Sequence, residues 1–168
     1  MISGLEILKT RTYNSTDVRK TLFSVARTVP TYEIEDRTVE MGGINYVNGE
    51  AYPSEVGRIL VAHPGQRRYT KGHFECQFVH FICHDREFED KYLRPLPVSL
   101  RLCDETRAPH IFRAMTGAWA KREDGYELYC IGKLMELISA IYSAGKLLGP
   151  IDEKYRRFSH SIIIATEF

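Results

Sequence analysis

Four residues that can bind a soft metal ion lie close together in the sequence: Cys76, His80, Cys83 and His84. Thiolates and imidazoles are the usual ligands of tetrahedral zinc sites. Side chains on an extended strand alternate between its two faces, so Cys76 and His80 point one way and Cys83 points the other. The four residues therefore cannot close a ligand shell locally, and we predict no metal site.

The sequence contains no motif typical of a catalytic nucleophile or of a phosphate-binding loop. It contains neither a Gly-x-Ser-x-Gly turn nor a glycine-rich phosphate loop. Ser159 and His160 are adjacent, but neighbouring residues on a helix face different directions. The sequence therefore predicts no catalytic residue and no cofactor, and we expect a protein that is not an enzyme.

Binding of a small molecule is the chemistry that the strands favour. Orienting a small metabolite requires aromatic surface together with a few polar groups. Different predicted strands supply such groups, and these are the candidate ligand-binding residues: Glu33, Tyr46, Arg68, Phe78 and His80. The choice assumes that the even-numbered residues of the 74–82 strand face inward, because a one-residue error would turn Phe78 and His80 outward.

Alternatives stay open for the polar members of this set. His80 is either a buried histidine with a structural hydrogen-bond partner or a polar contact inside a cavity. Arg67 and Arg68 either lie in an exposed basic turn or close over the mouth of the site. In the second case a guanidinium can grip an anionic or hydroxylated ligand through its fixed fork of donors.

Composition and charge exclude several classes of protein. The 168 residues are 43% hydrophobic, which is enough for the core of one domain, with or without a helical extension. Lys and Arg total 23 against 22 Asp and Glu, so this chain has no net positive field with which to hold nucleic acid alone. The sequence has no run of 18 apolar residues and its N-terminus lacks a secretory pattern, so we expect a cytoplasmic protein without a membrane span. The four cysteines are expected to be reduced thiols, mostly buried.

Period-two patterning and turn residues predict strands before residue 104. Residues 32–35 alternate between apolar and polar side chains, which is typical of a half-buried strand. Asn48-Gly49 supplies the positive φ angles of a tight hairpin turn, and Pro64-Gly65 ends another strand. Residues 73–83 form the longest predicted strand. Short strands at this spacing predict an antiparallel sandwich or barrel.

Helical patterning takes over after Asp104, which is a good helix N-cap. Asp124-Gly125 separates two predicted helices, and the second carries an apolar stripe wide enough to bury two surfaces. One surface is the core, and the other is a candidate dimer interface. The candidate interface residues are Leu128, Ile131, Met135, Ile138 and Tyr142. The alternative is a stripe that is wholly intramolecular core.

Two stretches carry a resemblance to a known family: residues 57–68, GRILVAHPGQRR, and residues 74–81, FECQFVHF. Together with residues 27–33 and 47–52, they resemble the sensing domain of AraC-family transcription regulators. The resemblance implies a mainly β fold with C-terminal helices, namely a cupin-like antiparallel β-barrel over residues 27–103 and a helical dimerisation segment over residues 104–149. Residues 1–26 match nothing in the family and are interpreted as an N-terminal arm.

The resemblance also implies a function. A small-molecule effector, such as a sugar or another metabolite, would bind in the barrel of a homodimer. DNA would be contacted only through a separate helix-turn-helix domain. Residues 161–168 begin an apolar helical pattern and do not finish it, so residues 150–168 are interpreted as a linker helix toward that domain, and the chain as one part of a longer protein.

Two other functions compete with this interpretation. A small cupin metalloenzyme, an isomerase or dioxygenase, would need a histidine cluster, and residues 27–40 contain no histidine. A dimerisation module without an effector would fill the barrel with its own side chains, for which Phe74, Phe78, Tyr32 and Tyr46 are bulky enough.

Overall fold

The computed structural model describes residues 4–18 and 20–148. Within these residues the chain forms nine strands: β1 (Leu5–Asn14), β2 (Arg27–Thr28), β3 (Tyr32–Val39), β4 (Gly43–Val47), β5 (Glu50–Ser54), β6 (Arg58–Ala62), β7 (Arg67–Lys71), β8 (Glu75–Cys83) and β9 (Ser99–Arg101). The helices are α1 (Arg86–Phe88), followed by a π-helical turn (Glu89–Leu93), then α2 (Arg107–Lys121) and α3 (Tyr126–Leu148). The predicted linker helix over residues 150–168 lies outside the described residues.

The strands form two antiparallel sheets. One has five strands in the order β1-β8-β3-β6-β9, and the other has four in the order β2-β7-β4-β5. In the described part of the chain no ladder of strands joins the two sheets into a closed barrel. The prediction of a mainly β, antiparallel fold with C-terminal helices is confirmed, whereas the predicted closed barrel is not seen in the described residues.

Turn chemistry fixes the hairpin between β4 and β5. Asn48 has φ of 50° and Gly49 has φ of 85°, as the predicted tight turn requires. The two strands pair from Gly43 with Ser54 to Val47 with Glu50. Gly65 also takes a positive φ, of 86°, in the predicted turn between β6 and β7.

The main apolar core lies between the five-stranded sheet and the helices. Ile34, Val79 and Phe81 face it from the sheet, and Phe112 and Leu137 face it from α2 and α3. All five side chains are fully buried. Burial of this apolar surface is what holds the helices on the sheet.

The boundaries of α2 and α3 agree with the sequence pattern except at the start of α2. By contrast, α1 and the π-helical turn lie between β8 and β9, in the region predicted to form only strands. The side chain of Asp104 accepts hydrogen bonds from Thr106, but the helix begins only at Arg107. Gly125, with φ of 81°, separates α2 from α3 as predicted. None of the described helices is both long enough and apolar enough to cross a membrane.

Two predictions about the strands need correction. The segment interpreted as an N-terminal arm contributes β1, which pairs with β8 at the edge of the larger sheet. The prediction that the strand at residues 32–35 is half-buried is wrong, because residues 32–37 of β3 are all buried. Helices cover one face of β3 and the smaller sheet covers the other.

Candidate functional site

The space between the two sheets is polar, unlike the core under the helices. Glu33, Glu35 and Arg37 alternate along β3 and face the smaller sheet, where Arg68 of β7 and Asn45 of β4 meet them. All five side chains are buried. Burying a charge requires a partner, and each of these residues has one on the opposite sheet.

Arg68 is the centre of this network. Its Nη1 donates to Glu33 Oε2 at 2.9 Å and to Glu35 Oε1 at 2.8 Å, and its Nη2 donates to Glu35 Oε2 at 3.1 Å. Arg27 of β2 donates to both oxygens of Glu33 at 2.7 Å each. Arg37 Nη2 lies 3.1 Å from Glu35 Oε2. Three guanidiniums thus surround two carboxylates.

The network shifts the pKa values of its members. Burial alone would raise the pKa of Glu35, but Arg68 and Arg37 more than offset it and lower that pKa to about 2. Burial likewise opposes the charge of Arg68, and the two glutamates overcome it and raise the pKa of that guanidinium. Arg68 and Glu35 are therefore both charged over the whole physiological range.

An aromatic wall lies beside the network. Phe74, Cys76 and Phe78 form a small buried cluster on the even-numbered face of residues 74–80, and Tyr13 of β1 packs against it. The Arg37 guanidinium lies 4.0 Å from the centroid of the Phe74 ring. Burial raises the pKa of the Cys76 thiol, so this cysteine is a neutral apolar contact.

A cavity of about 230 Å³ opens between this wall and the smaller sheet. It is lined by Arg68, Glu35, Phe74, Phe78 and His80. Further lining residues come from β1, β2, β7, β8 and the segment before β2: Lys9, Arg11, Tyr13, Ser24, Val25, Arg27, Tyr69, Thr70 and Cys76. A concave site of mixed aromatic and polar character is what a small ligand requires.

His80 lies on the cavity side of β8 with 29% of its side chain exposed. Its Nε2 atom is 3.8 Å from Glu33 Oε1, which is too long for a hydrogen bond. Burial lowers the pKa of His80, and the charge of Glu33 only partly opposes this. The ring is therefore neutral at pH 7 and can offer one donor and one acceptor.

Four of the five sequence-predicted ligand residues come together here. Glu33, Arg68, Phe78 and His80 all face the space between the sheets. Tyr46 does not, because Asn45 and Val47 take the buried inner face of β4 and Tyr46 lies on the other face. There its ring stacks on Tyr69 with 4.6 Å between centroids.

Sequence reasoning missed the contribution of β1 to the site. Lys9, Arg11 and Tyr13 pair with His80, Phe78 and Cys76 of β8 and share their face. Glu35 and Arg37 were also missed as site residues. Charged residues at every second position of a strand, here Glu33, Glu35 and Arg37, are a signal of paired burial on one face.

The predicted dimer residues divide between two faces of α3. Leu128 and Met135 are exposed, with 57% and 37% of their surface accessible. Ile131 and Ile138 are buried in the intramolecular core, and Tyr142 packs partly against it. The apolar stripe therefore covers the core and continues onto the outer face.

The cysteines and potential metal ligands form neither a disulfide nor a metal site in the described part of the chain. All four cysteines are free thiols, and Cys76 and Cys130 are buried while Cys103 is exposed. No group of three or more His, Cys, Asp or Glu side chains among residues 4–18 and 20–148 is placed to hold a metal ion. The sequence matches no protein-family model and no curated protein sequence.

Proposed function

We propose that this chain is the ligand-sensing and dimerisation domain of an AraC-type transcription regulator. In this proposal the two sheets are the cupin-like unit, and a small effector binds between them. DNA is contacted by a helix-turn-helix domain outside this sequence, which would place the protein in the cytoplasm. The resemblance of residues 57–68 and 74–81 to the family motivates the proposal.

The observation that carries the sensing role is the cavity between the sheets. It combines the aromatic wall of Phe74 and Phe78 with Arg68 and His80, and Ser24 and Thr70 add hydroxyl groups. The buried ion pairs behind it hold Arg68 in place, so its donors are oriented before a ligand arrives. Such preorganisation lowers the entropic cost of binding.

Control of a distant domain requires that the ligand prefer one arrangement of the protein. The cavity lies between two sheets that are linked by side chains, and the helices pack on the far face of the larger sheet. A ligand that changes the spacing of the sheets therefore acts on the sheet that carries α2 and α3. Its differential affinity for two such arrangements would be the regulatory signal.

The dimerisation role rests on the outer face of α3. Five exposed residues, spaced three or four apart, form one uncharged row: Leu128, Gly132, Met135, Ser139 and Ser143. A long surface helix usually carries charged residues on its solvent face. An isologous contact between two copies of α3 would cover this row, and the small residues within it allow close approach.

A thermal-unfolding screen over sugars, organic acids and aromatic metabolites tests the sensing role. A ligand that binds only the folded state at 100 times its Kd stabilises by about 2.7 kcal/mol, which raises the midpoint of a domain of this size by roughly 5–10 °C. Phe78→Ala should abolish the shift. Phe88→Ala, a matched loss of a ring outside the cavity, should keep it.

If no compound raises the midpoint, the sensing role is contradicted. If dimers then persist in solution, a dimerisation module without an effector becomes the better description. Each shift is measured relative to the unfolding midpoint of the same variant without added compound.

A further inference from the structure

Among the residues that the structure describes, two basic side chains at the mouth of the cavity have no carboxylate partner. Lys9 and Arg11 line the cavity from β1, and both are exposed. Each lies 5.8 Å from the centroid of the Phe78 ring. Within residues 4–18 and 20–148, neither makes an ion pair or a side-chain hydrogen bond, so their charged ends remain available to a ligand.

A β-bulge aims these two residues at the cavity. Leu5 and Ile7 face the core under the helices, and strict alternation would send Lys9 there as well. The register with β8 shifts between Ile7 and Lys9, so Leu8 is the extra residue. After the bulge the odd-numbered residues of β1 share the face of Phe78 and His80. Bulges often re-aim side chains in this way beside binding sites.

The charges around the cavity are unbalanced. Of the described residues that line it, four are basic, namely Lys9, Arg11, Arg27 and Arg68, and one is a carboxylate, Glu35. The oxygens of Glu35 are already engaged by Arg68 and Arg37. Glu33, behind the cavity wall, is engaged by Arg27 and Arg68. The positive charge of Lys9 and Arg11 is therefore not neutralised within the site.

The size and the walls of the cavity limit its occupant further. A dry cavity of about 150 Å³ holds one benzene molecule, and this cavity measures about 230 Å³. It has room for a single ring or short chain bearing one charged group. Phe74 and Phe78 offer such a body an apolar wall, and the neutral ring of His80 can hydrogen-bond to an additional hydroxyl.

We propose that the occupant is a small organic anion, a carboxylate or a phosphate ester with an apolar body, whose charged group is held by Lys9 and Arg11 over Phe78. This inference rests on the proposed sensing function and specifies its ligand. Charge-assisted hydrogen bonds from Lys9 and Arg11 fix the anionic end. A neutral sugar would leave both cations without a partner.

Calorimetric titration at constant ionic strength tests the inference with four probes: benzoate, phenyl phosphate, the neutral isostere benzamide, and glucose. We expect benzoate, phenyl phosphate or both to bind, and the stronger of the two identifies the anionic group. Benzamide and glucose should show no saturable heat. The double variant Lys9→Gln with Arg11→Gln should weaken the Kd of the anion roughly 10- to 100-fold.

The control is Arg113→Gln with Lys121→Gln, which removes two positive charges from α2. It should leave the Kd of the anion unchanged. An equal loss in both double variants would mean that only the net charge matters, and this would overturn the assignment to Lys9 and Arg11.

The remaining outcomes separate the inference from the function on which it rests. If benzamide or glucose binds and loses affinity in Phe78→Ala while the anions do not bind, the sensing function stands and the anionic ligand is wrong. If none of the four probes binds, and the wider screen of metabolites shows no stabilisation, both the ligand class and the sensing function fail.

Discussion

Arg68 and Glu35 join the two sheets through a two-point contact, in which Arg68 Nη1 and Nη2 donate to the two carboxylate oxygens at 2.8 and 3.1 Å. Both side chains are buried, and they come from strands of different sheets. The sheets are therefore held together by a buried ion pair where a typical sandwich has apolar contacts. Because this ion pair takes the place of close apolar packing, space remains between the sheets for a cavity lined with polar groups.

Loss of Arg68 should be strongly destabilising. Arg68→Met leaves Glu35 with Arg37 alone and removes one of the two partners of Glu33. We expect the free energy of unfolding to fall by about 3–5 kcal/mol, the usual cost of breaking a buried pair. Urea unfolding measures it. The matched control is Arg67→Met, an exposed neighbour on the same strand, which should change stability by less than about 0.5 kcal/mol.

Equal effects of the two arginine substitutions would contradict the account of the interface between the sheets. A stable Arg68→Met protein would show that apolar packing holds the sheets together and that the ion pair is dispensable.

Glu35 should make the protein sensitive to acid. Its folded-state pKa of about 2 lies below the unfolded value near 4.5. Its contribution to stability is therefore fully present above about pH 5 and is lost as the pH falls from about 4.5 toward 2. The stability difference between wild type and Glu35→Gln should shrink over this window. Glu87→Gln, at an exposed position of α1, is the matched control. A stability difference between wild type and Glu35→Gln that stays constant over this window would exclude this carboxylate as the cause.

Asp36 should have the opposite pH dependence. It is buried on the helix-facing side of β3, and neither of its oxygens has a hydrogen-bond partner in the described part of the chain. Burial raises the pKa of Asp36 to about 7, and the positive charge of Arg37 only partly opposes this rise. Because the folded state binds this proton more tightly, stability is highest below the unfolded pKa, near 4, and is lost as the pH rises toward 7.

Asp36→Asn cannot ionise, so the loss should disappear. Between about pH 4 and 7, the stability of wild type should fall by a few kcal/mol relative to this variant. Denaturant unfolding at several pH values measures the difference, with the exposed Asp124→Asn as control. Parallel pH profiles for wild type and Asp36→Asn would show that Asp36 is solvated or paired.

The outer face of α3 should control the oligomeric state. Met135→Asp places a charge on the uncharged row and should shift the dimer toward monomer in sizing with light scattering. Val56→Asp, an equally exposed apolar position on the loop before β6, should leave the dimer intact. Ile138→Asp is a different experiment, because Ile138 is only 3% exposed and the substitution should unfold the protein. A Met135→Asp protein that remains dimeric would show that the dimer interface lies on another surface.

Much of the fold follows from local patterns that tertiary packing did not override. Asn48-Gly49 specifies its hairpin by backbone geometry alone. The alternation of residues 73–83 groups Phe78 and His80 on one face of β8. That this face points inward was an assumption, and in the structure both residues line the cavity.

The rest of the site depends on features that alternation does not reveal. The bulge at Leu8 breaks the period of β1, so neither the strand nor the orientation of Lys9 and Arg11 can be read from the pattern. Tyr46 was assigned to the inner face of β4, but the inner position belongs to Asn45, which accepts hydrogen bonds from Arg37 and Thr70. A polar residue there satisfies buried donors that are visible only once the sheets are assembled.

A small-molecule site between the two sheets should be visible in the ring resonances of Phe and His in carbon-detected NMR spectra. Protein labelled at Phe and His rings would be titrated with benzoate, phenyl phosphate, benzamide and glucose. We expect a binding probe to shift the resonances of Phe74, Phe78 and His80 together, while the resonances of Phe88 and Phe112, on the helix side, do not change. Saturable shifts confined to the helix-side rings would contradict a site between the sheets. The absence of a shift with the four probes and with every compound of the wider metabolite screen would contradict it as well.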